Sequence, residues 1–185
     1  MDPNDISALI DEANQWVTLQ RNKHRPSARP LSNSEKIDLG RFFECDTLER
    51  VRLEVVSQVE PPEFSLPLPD KAKTDLRLTF GRLAGIAFED TIVISKTQMM
   101  FRSHMLPLLF HELMHVVQYE TLGSYAFMER YVHGWLENGF SYHAIPLERD
   151  AYELQEWYEV SPEVSFSVSE EVGRRLGLLP REGTE

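Results

Sequence analysis

Cysteine is almost missing from this chain: Cys45 is the only one in 185 residues. No intramolecular disulfide can form and no zinc site can be built on thiolates, so any metal must be held by histidine or carboxylate. Cys45 itself is expected to be a small buried hydrophobe. Positive charge is also scarce, with 19 Lys and Arg against 30 Asp and Glu and a formal net charge of −11. Nucleic acid is therefore not an expected partner, because nothing supplies the basic stripe that phosphates require. An anionic membrane surface fits poorly for the same reason. No stretch approaches the ~20 apolar residues of a membrane span. Met1 to Ile10 carries Asp2 and Asp5 and no apolar run, so it does not read as a secretory signal. The expectation is a cytoplasmic protein with no membrane insertion, export by a route that needs no cleavable signal being left open. Repeats and low-complexity tracts are absent too.

What is present suits one domain with an N-terminal extension, since a 42% hydrophobic content can fill a core. The expected division is an N-terminal helix and basic linker over residues 1–30, a domain over 31–180, and a tail at 181–185. Ile6, Leu9, Ile10, Ala13, Trp16 and Val17 recur at helical spacing. Arg21 to Pro30 is basic, carries two prolines and lacks periodicity, which predicts an exposed linker. Ser34 to Phe43 predicts a short helix. Leu48 to Val59 alternates, with Val51, Leu53 and Val55 on one side, and predicts a strand. Leu76, Leu78 and Phe80 alternate again, and Thr91 to Ser95 is a short β-branched run. A small antiparallel sheet should precede a helical half that starts near residue 97.

In that half, the apolar stretch Leu106 to Leu122 stops at Gly123, a suitable C-cap. Ser124 can cap a second helix ending at Asn138-Gly139, and Pro146 can open a third that runs to about Tyr158. A last short helix is expected near Glu170 to Leu176. The fold class is accordingly α+β.

His111-Glu112-Leu113-Met114-His115 matches H-E-x-x-H. Four residues apart on a helix, the two imidazoles share a face and can hold one zinc at about 2.0–2.1 Å. Glu112 lies about 100° around from His111, beside the metal, where it can take a proton from water. The helix is apolar nearly all round, so its polar triplet would be costly to bury unless coordinated or paired. Gln118 extends the polar stripe. One zinc ion per chain is the expected cofactor. A catalytic zinc takes three protein ligands and keeps one position open. The downstream sequence Tyr119-Glu120-Thr121-Leu122 lacks the His-x-x-Gly-x-x-His continuation of metzincins. Glu148 is the leading third ligand, placed by Pro146 in a first helical turn where the helix dipole favours a carboxylate. Ala151, one turn on, would let that helix approach closely. Asp150, Glu137, Glu153 and His143 compete for the role.

The segments His111 to Gln118 and Ile145 to Ala151, with Asp90 to Ile94 as a preceding strand, resemble the metallopeptidase domain often called the extracellular contractile injection system core domain. That family shows H-E-L-x-H-V-x-Q followed by P-x-E-x-x-A. The likeness spans roughly residues 85 to 158. It implies a bacterial, gluzincin-like protein of zincin-like fold, with Glu148 as third ligand. Tyr152 stands where gluzincins often carry an aspartate that orients a histidine, a departure from the pattern.

The expected function is a zinc metalloendopeptidase acting on a peptide or protein, with Glu112 as general base. Tyr142 and His143 are candidate oxyanion donors, from a loop that should face the cleft. Tyr131 with Trp135 reads as a core stripe, His133 as packing or surface, and His24 and His104 as unrelated to metal. Strand 91–95 could pair with an extended substrate at a sheet edge. The rival expectation is a catalytically silent, zinc-stabilised interaction or cargo-associated module. No residue pattern speaks to the oligomeric state.

Overall fold

The computed structural model describes residues 1–99, 105–161 and 163–180. The chain is α+β, with helices around a small mixed sheet. Helix α1 (Pro3–His24) begins where Asp2 accepts from the Asp5 backbone N–H at 2.9 Å, with Pro3 as its first residue. Its stripe of Leu9, Ala13 and Val17, four residues apart, is buried. Strand β1 (Arg29–Pro30) follows, then α2 (Asn33–Leu39), α3 (Cys45–Arg50), β2 (Arg52–Val56) and α4 (Asp70–Phe80). The hairpin of β3 (Gly85–Phe88) and β4 (Thr91–Ser95) turns at Glu89, whose φ is 54°. Helix α5 (Lys96–Met99) ends the first half.

The sheet order is β1-β2-β4-β3. Its central pair is parallel, with Leu53 opposite Ile92, while β1–β2 and β3–β4 are antiparallel. The antiparallel expectation is therefore corrected: α4 and β3 carry the chain across before β4 returns beside β2, the kind of long connection parallel strands need. The predicted strand at 76–80 is part of α4. Ala72, Leu76 and Phe80 are four apart, and that helical spacing overrides the two-residue alternation. The strand predicted over 48–59 shrinks to β2 because α3 occupies its start, and Val55 is exposed although Val51 and Leu53 are buried. Residues 21–30 are not a free linker. Helix α1 runs through His24, β1 joins the sheet, and Arg21 and Arg25 meet Asp90 at 2.7 and 2.9 Å. Cys45 is exposed, not buried.

The second half carries α6 (Met105–Leu122), α7 (Ser124–Glu137), a 3₁₀ turn at Tyr142–Ala144, α8 (Pro146–Val160) and α9 (Val168–Arg175). Gly123 (φ 78°) separates α6 from α7 and is itself the N-cap; Ser124 instead donates to the Asn14 side chain at 2.8 Å. Helix α6 is the centre of the fold, with every residue from Leu108 to Tyr119 buried. The sheet and α6 separate two cores. On β4, Ile92 and Ile94 enter the first and Val93 the second, following the two-residue period of a strand. Among the described residues, no helix is long and apolar enough to cross a membrane. His104 and the 181–185 tail lie outside the described residues.

Candidate metal centre

The unbroken helix α6 brings His111 and His115 onto one face, and their Nε2 atoms lie 3.2 Å apart. Helix α8 supplies Glu148 from its first turn, with Oε2 3.3 Å from His111 Nε2 and 3.4 Å from His115 Nε2. Close approach is possible because Ala151 is fully buried in the α6–α8 seam. On the other side, Gly134 of α7 abuts the start of α8: a Cβ there would sit 2.6 Å from Pro146 Cδ. All three candidate ligands are buried, each at most 6% exposed. The group His111, His115 and Glu148 could hold a metal ion.

The fit can be tested on the triangle itself. A tetrahedral zinc with ligand bonds of about 2.0–2.1 Å has ligand–ligand edges of about 3.3–3.4 Å. The observed edges of 3.2, 3.3 and 3.4 Å lie close to that figure. Glu148 Oε2 is also buried without a directed hydrogen bond, as expected of an atom kept for another partner.

The surrounding hydrogen bonds orient the lone pairs. Gln118 donates through Nε2 to the Leu147 carbonyl at 3.1 Å, an acceptor only, which turns its Oε1 toward His115 Nδ1 at 2.8 Å. His115 Nδ1 must then carry the hydrogen, leaving a lone pair on Nε2 for a metal. Tyr131 donates to Glu148 Oε1 at 2.8 Å, which fixes the carboxylate and leaves Oε2 facing the histidines. His111 is less supported. Its Nδ1 makes no well-formed hydrogen bond among the described residues. Gln155 is the polar side chain beside it, and Gln155 donates through Nε2 to Glu159 at 2.6 Å, which leaves its Oε1 as the atom that can accept from Nδ1. The Tyr152 ring packs 4.5 Å from the His111 ring, so contact replaces the aspartate hydrogen bond of the gluzincin pattern.

The same contacts set the protonation of the cluster. Burial pulls the His111 pKa down. Burial also opposes charge on His115, but the Glu148 carboxylate outweighs it and raises that imidazole to about 9. Burial would raise Glu148, yet the two imidazoles hold it well below the usual carboxylate range. The His115 imidazolium thus balances the buried Glu148 carboxylate, and a divalent cation binding there would take over that charge by displacing the Nε2 proton.

Glu112 is buried beside this triangle. Edge strand β3 passes so close that a Cβ on Gly85 would stand 2.6 Å from Glu112 Oε1, so only glycine leaves the carboxylate its place. Glu112, His115 and Glu148 border a chamber of about 120 Å³. Tyr131 and Tyr142 line it too. Burial, then the charge of Glu148, holds both phenols protonated as donors, their pKa values well above normal. His143 does not line the chamber; it is exposed, with its ring 5.2 Å from Tyr142 and 5.7 Å from Tyr152. Asp150 is turned away and bonded to Arg175 at 2.9 Å. His133 is half-buried on α7, 4.0 Å from Glu137, and His24 pairs with Glu54 at 2.7 Å.

Sequence reasoning missed Tyr131, which it assigned to packing, and the close approaches at Gly85 and Gly134. Gln118 was legible as an extension of the polar stripe, three residues after His115, though its bond across to α8 was not. No known family model, curated protein or solved structure matches the chain. The likeness to the injection-system core domain therefore rests on the motifs themselves.

Proposed function

We propose that this chain is a zinc-dependent metallopeptidase of zincin-like fold, with His111, His115 and Glu148 holding the ion and Glu112 as general base. The observation that carries it is the match between the three ligand edges and a tetrahedral zinc shell, with a buried carboxylate next along the helix. When bound, zinc would polarise the scissile carbonyl and lower the pKa of water towards ~7. Glu112 accepts the proton of the attacking water and returns it to the leaving amine. Tyr142 is the better oxyanion donor, since the Tyr131 hydroxyl is already committed to Glu148. Strand β4 cannot take up substrate, because it is interior to the sheet and wholly buried. That task falls to edge strand β3, which runs past Glu112.

The test pairs metal content with a peptide library. Wild type should carry one zinc per chain, and His111→Ala or Glu148→Ala should lose most of it, whereas Asp150→Ala should keep it. Glu112→Gln should bind zinc and melt like wild type but cut about 10²–10⁴-fold more slowly. Equal cleavage by wild type and Glu112→Gln would sink the mechanism. The depth of the ligand set favours one second reading, a zinc-stabilised interaction module. It becomes the better account if zinc binds, nothing is cut and small hydroxamates do not bind.

A further inference from the structure

The chamber beside Glu112 is lined mainly by apolar side chains away from the His115–Glu148 end. Its far wall comes from the half of the chain that carries no motif: Leu9, Ala13 and Val17 on α1, with Leu76, Thr79 and Phe80 on α4. The acid in this wall, Asp75, is already engaged, accepting from Trp135 Nε1 at 3.0 Å. Protein interiors are otherwise close-packed, and unfilled apolar space costs stability in proportion to its volume. Leu9, Ala13 and Val17 form one buried stripe that faces the chamber, with the small side chain in its middle. Trp16 adds a second observation: its ring lines the chamber, and its Nε1 is buried with no hydrogen-bond partner among the described residues. A hollow of this size, with apolar walls and one waiting donor, suits an occupant that arrives from outside.

We infer that this chamber selects the substrate: it receives a large aromatic or branched aliphatic side chain adjacent to the bond facing Glu112, enclosed by α1 and α4. The inference rests on the peptidase reading and adds the substrate class to it. Specificity then lies in the N-terminal half and chemistry in the C-terminal half. Small apolar or charged side chains would leave the hollow unfilled or place an unpaired charge against it.

Two hydroxamates separate the parts in a calorimetric titration of the zinc-loaded full chain. Acetohydroxamate tests only the open metal position; 3-phenylpropanohydroxamate adds an aromatic arm. The arm should tighten binding to wild type by about 10- to 100-fold, the value of burying one phenyl side chain. Ala13→Phe should fill the hollow and abolish that gain while leaving acetohydroxamate affinity and zinc content unchanged. Thr79→Phe should do the same from α4 and serves if Ala13→Phe does not fold. Equal affinity of the two probes for wild type would overturn the inference and leave the metallopeptidase reading standing. A gain that persists in the folded, filled variants would overturn it as well. Failure of acetohydroxamate to bind zinc-loaded wild type would instead overturn the reading beneath it, and the inference with it.

Discussion

The two cores that flank the sheet are built differently. The first is filled around Phe110, which stacks on Tyr158 at 4.7 Å and meets Phe42 and Phe43 edge-on at 5.6 and 5.0 Å. The second, between α1, α4, α7 and the other face of β4, also gathers aromatic residues but encloses the chamber. Both draw on the same β4 and share α6 as a boundary, so the difference lies in what packs against them. Aromatic pairs close the first, while the second keeps a chamber lined by α1, α4, α7 and β3. His111, His115 and Glu148 stand at the junction, between the filled core and the chamber. On the proposed reading, the filled side would hold the ligands and the open side would admit a substrate. Stability and function are thus assigned to neighbouring cores within one short chain.

The sharpest way to break that division is to damage the filled side. Phe110 is fully buried, one residue before His111. Phe110→Ala should cost about 3–5 kcal/mol in chemical denaturation, from lost burial plus the cavity left behind. Leu76→Ala, on the chamber wall, should cost much less, because Leu76 is only partly buried and already borders open space. Equal losses at the two positions would mean that the second core is packed as tightly as the first, and the functional division would fail.

A smaller effect is expected at the junction. Gln118 ties His115 to the Leu147 carbonyl and so links the metal helix to α8. Gln118→Ala should weaken zinc binding about 10- to 100-fold, as is usual for partners that orient a ligand histidine. A competition titration with a chelator would measure it. Gln155 makes no well-formed bond to His111 Nδ1, so Gln155→Ala should change zinc affinity by much less. If Gln155→Ala proves as damaging as Gln118→Ala, Gln155 Oε1 must accept from His111 Nδ1 once metal is bound, which its bond to Glu159 through Nε2 permits.

How much of this was legible in the sequence follows the same partition. Helix α6 announced itself because a continuous apolar helix cannot bury His111, Glu112 and His115 without a purpose. Glu148 followed from Pro146 and the preference of a helix N-terminus for a carboxylate. The N-terminal half was harder. Residues 76–80 satisfy a strand period and a helix period at once, and only the preceding Pro69-Asp70 start and the buried Ala72 decide between them. The mixed sheet was hidden because strand order depends on where α4 sends the chain, which no local pattern records. Tyr131 gave no signal at all: it reaches Glu148 across two helices, seventeen residues away in sequence. Gly85 was equally silent, since its importance depends on a carboxylate from another element.

The smallest predicted effect asks which side of the molecule is sensitive to acid away from the metal. Glu35 accepts from Arg29 at 2.8 and 2.9 Å and from the Ser32 backbone N–H at 2.6 Å, while Ser32 Oγ accepts from the Glu35 N–H. This capping box starts α2 and ties it to β1, beside Leu31 and Leu39 of the first core. The Arg29 hydrogen bonds dominate; burial opposes them, and Ser32 assists, bringing the carboxyl from 4.5 down to about 2. A folded pKa below the unfolded one means that the stabilisation is complete above about pH 4.5 and disappears as pH falls through about 2. Arg29 is half exposed, and solvent screening reduces the stabilisation to about 1 kcal/mol. Glu35→Gln should therefore be about 1 kcal/mol less stable than wild type at about pH 7, with the gap narrowing towards about pH 3. Denaturant unfolding of both proteins across that range would measure it, with zinc held saturating or removed from both so that metal release cancels. A gap that stays constant, or widens as the pH drops, would show that Glu35 does not hold the edge of the first core through its charge.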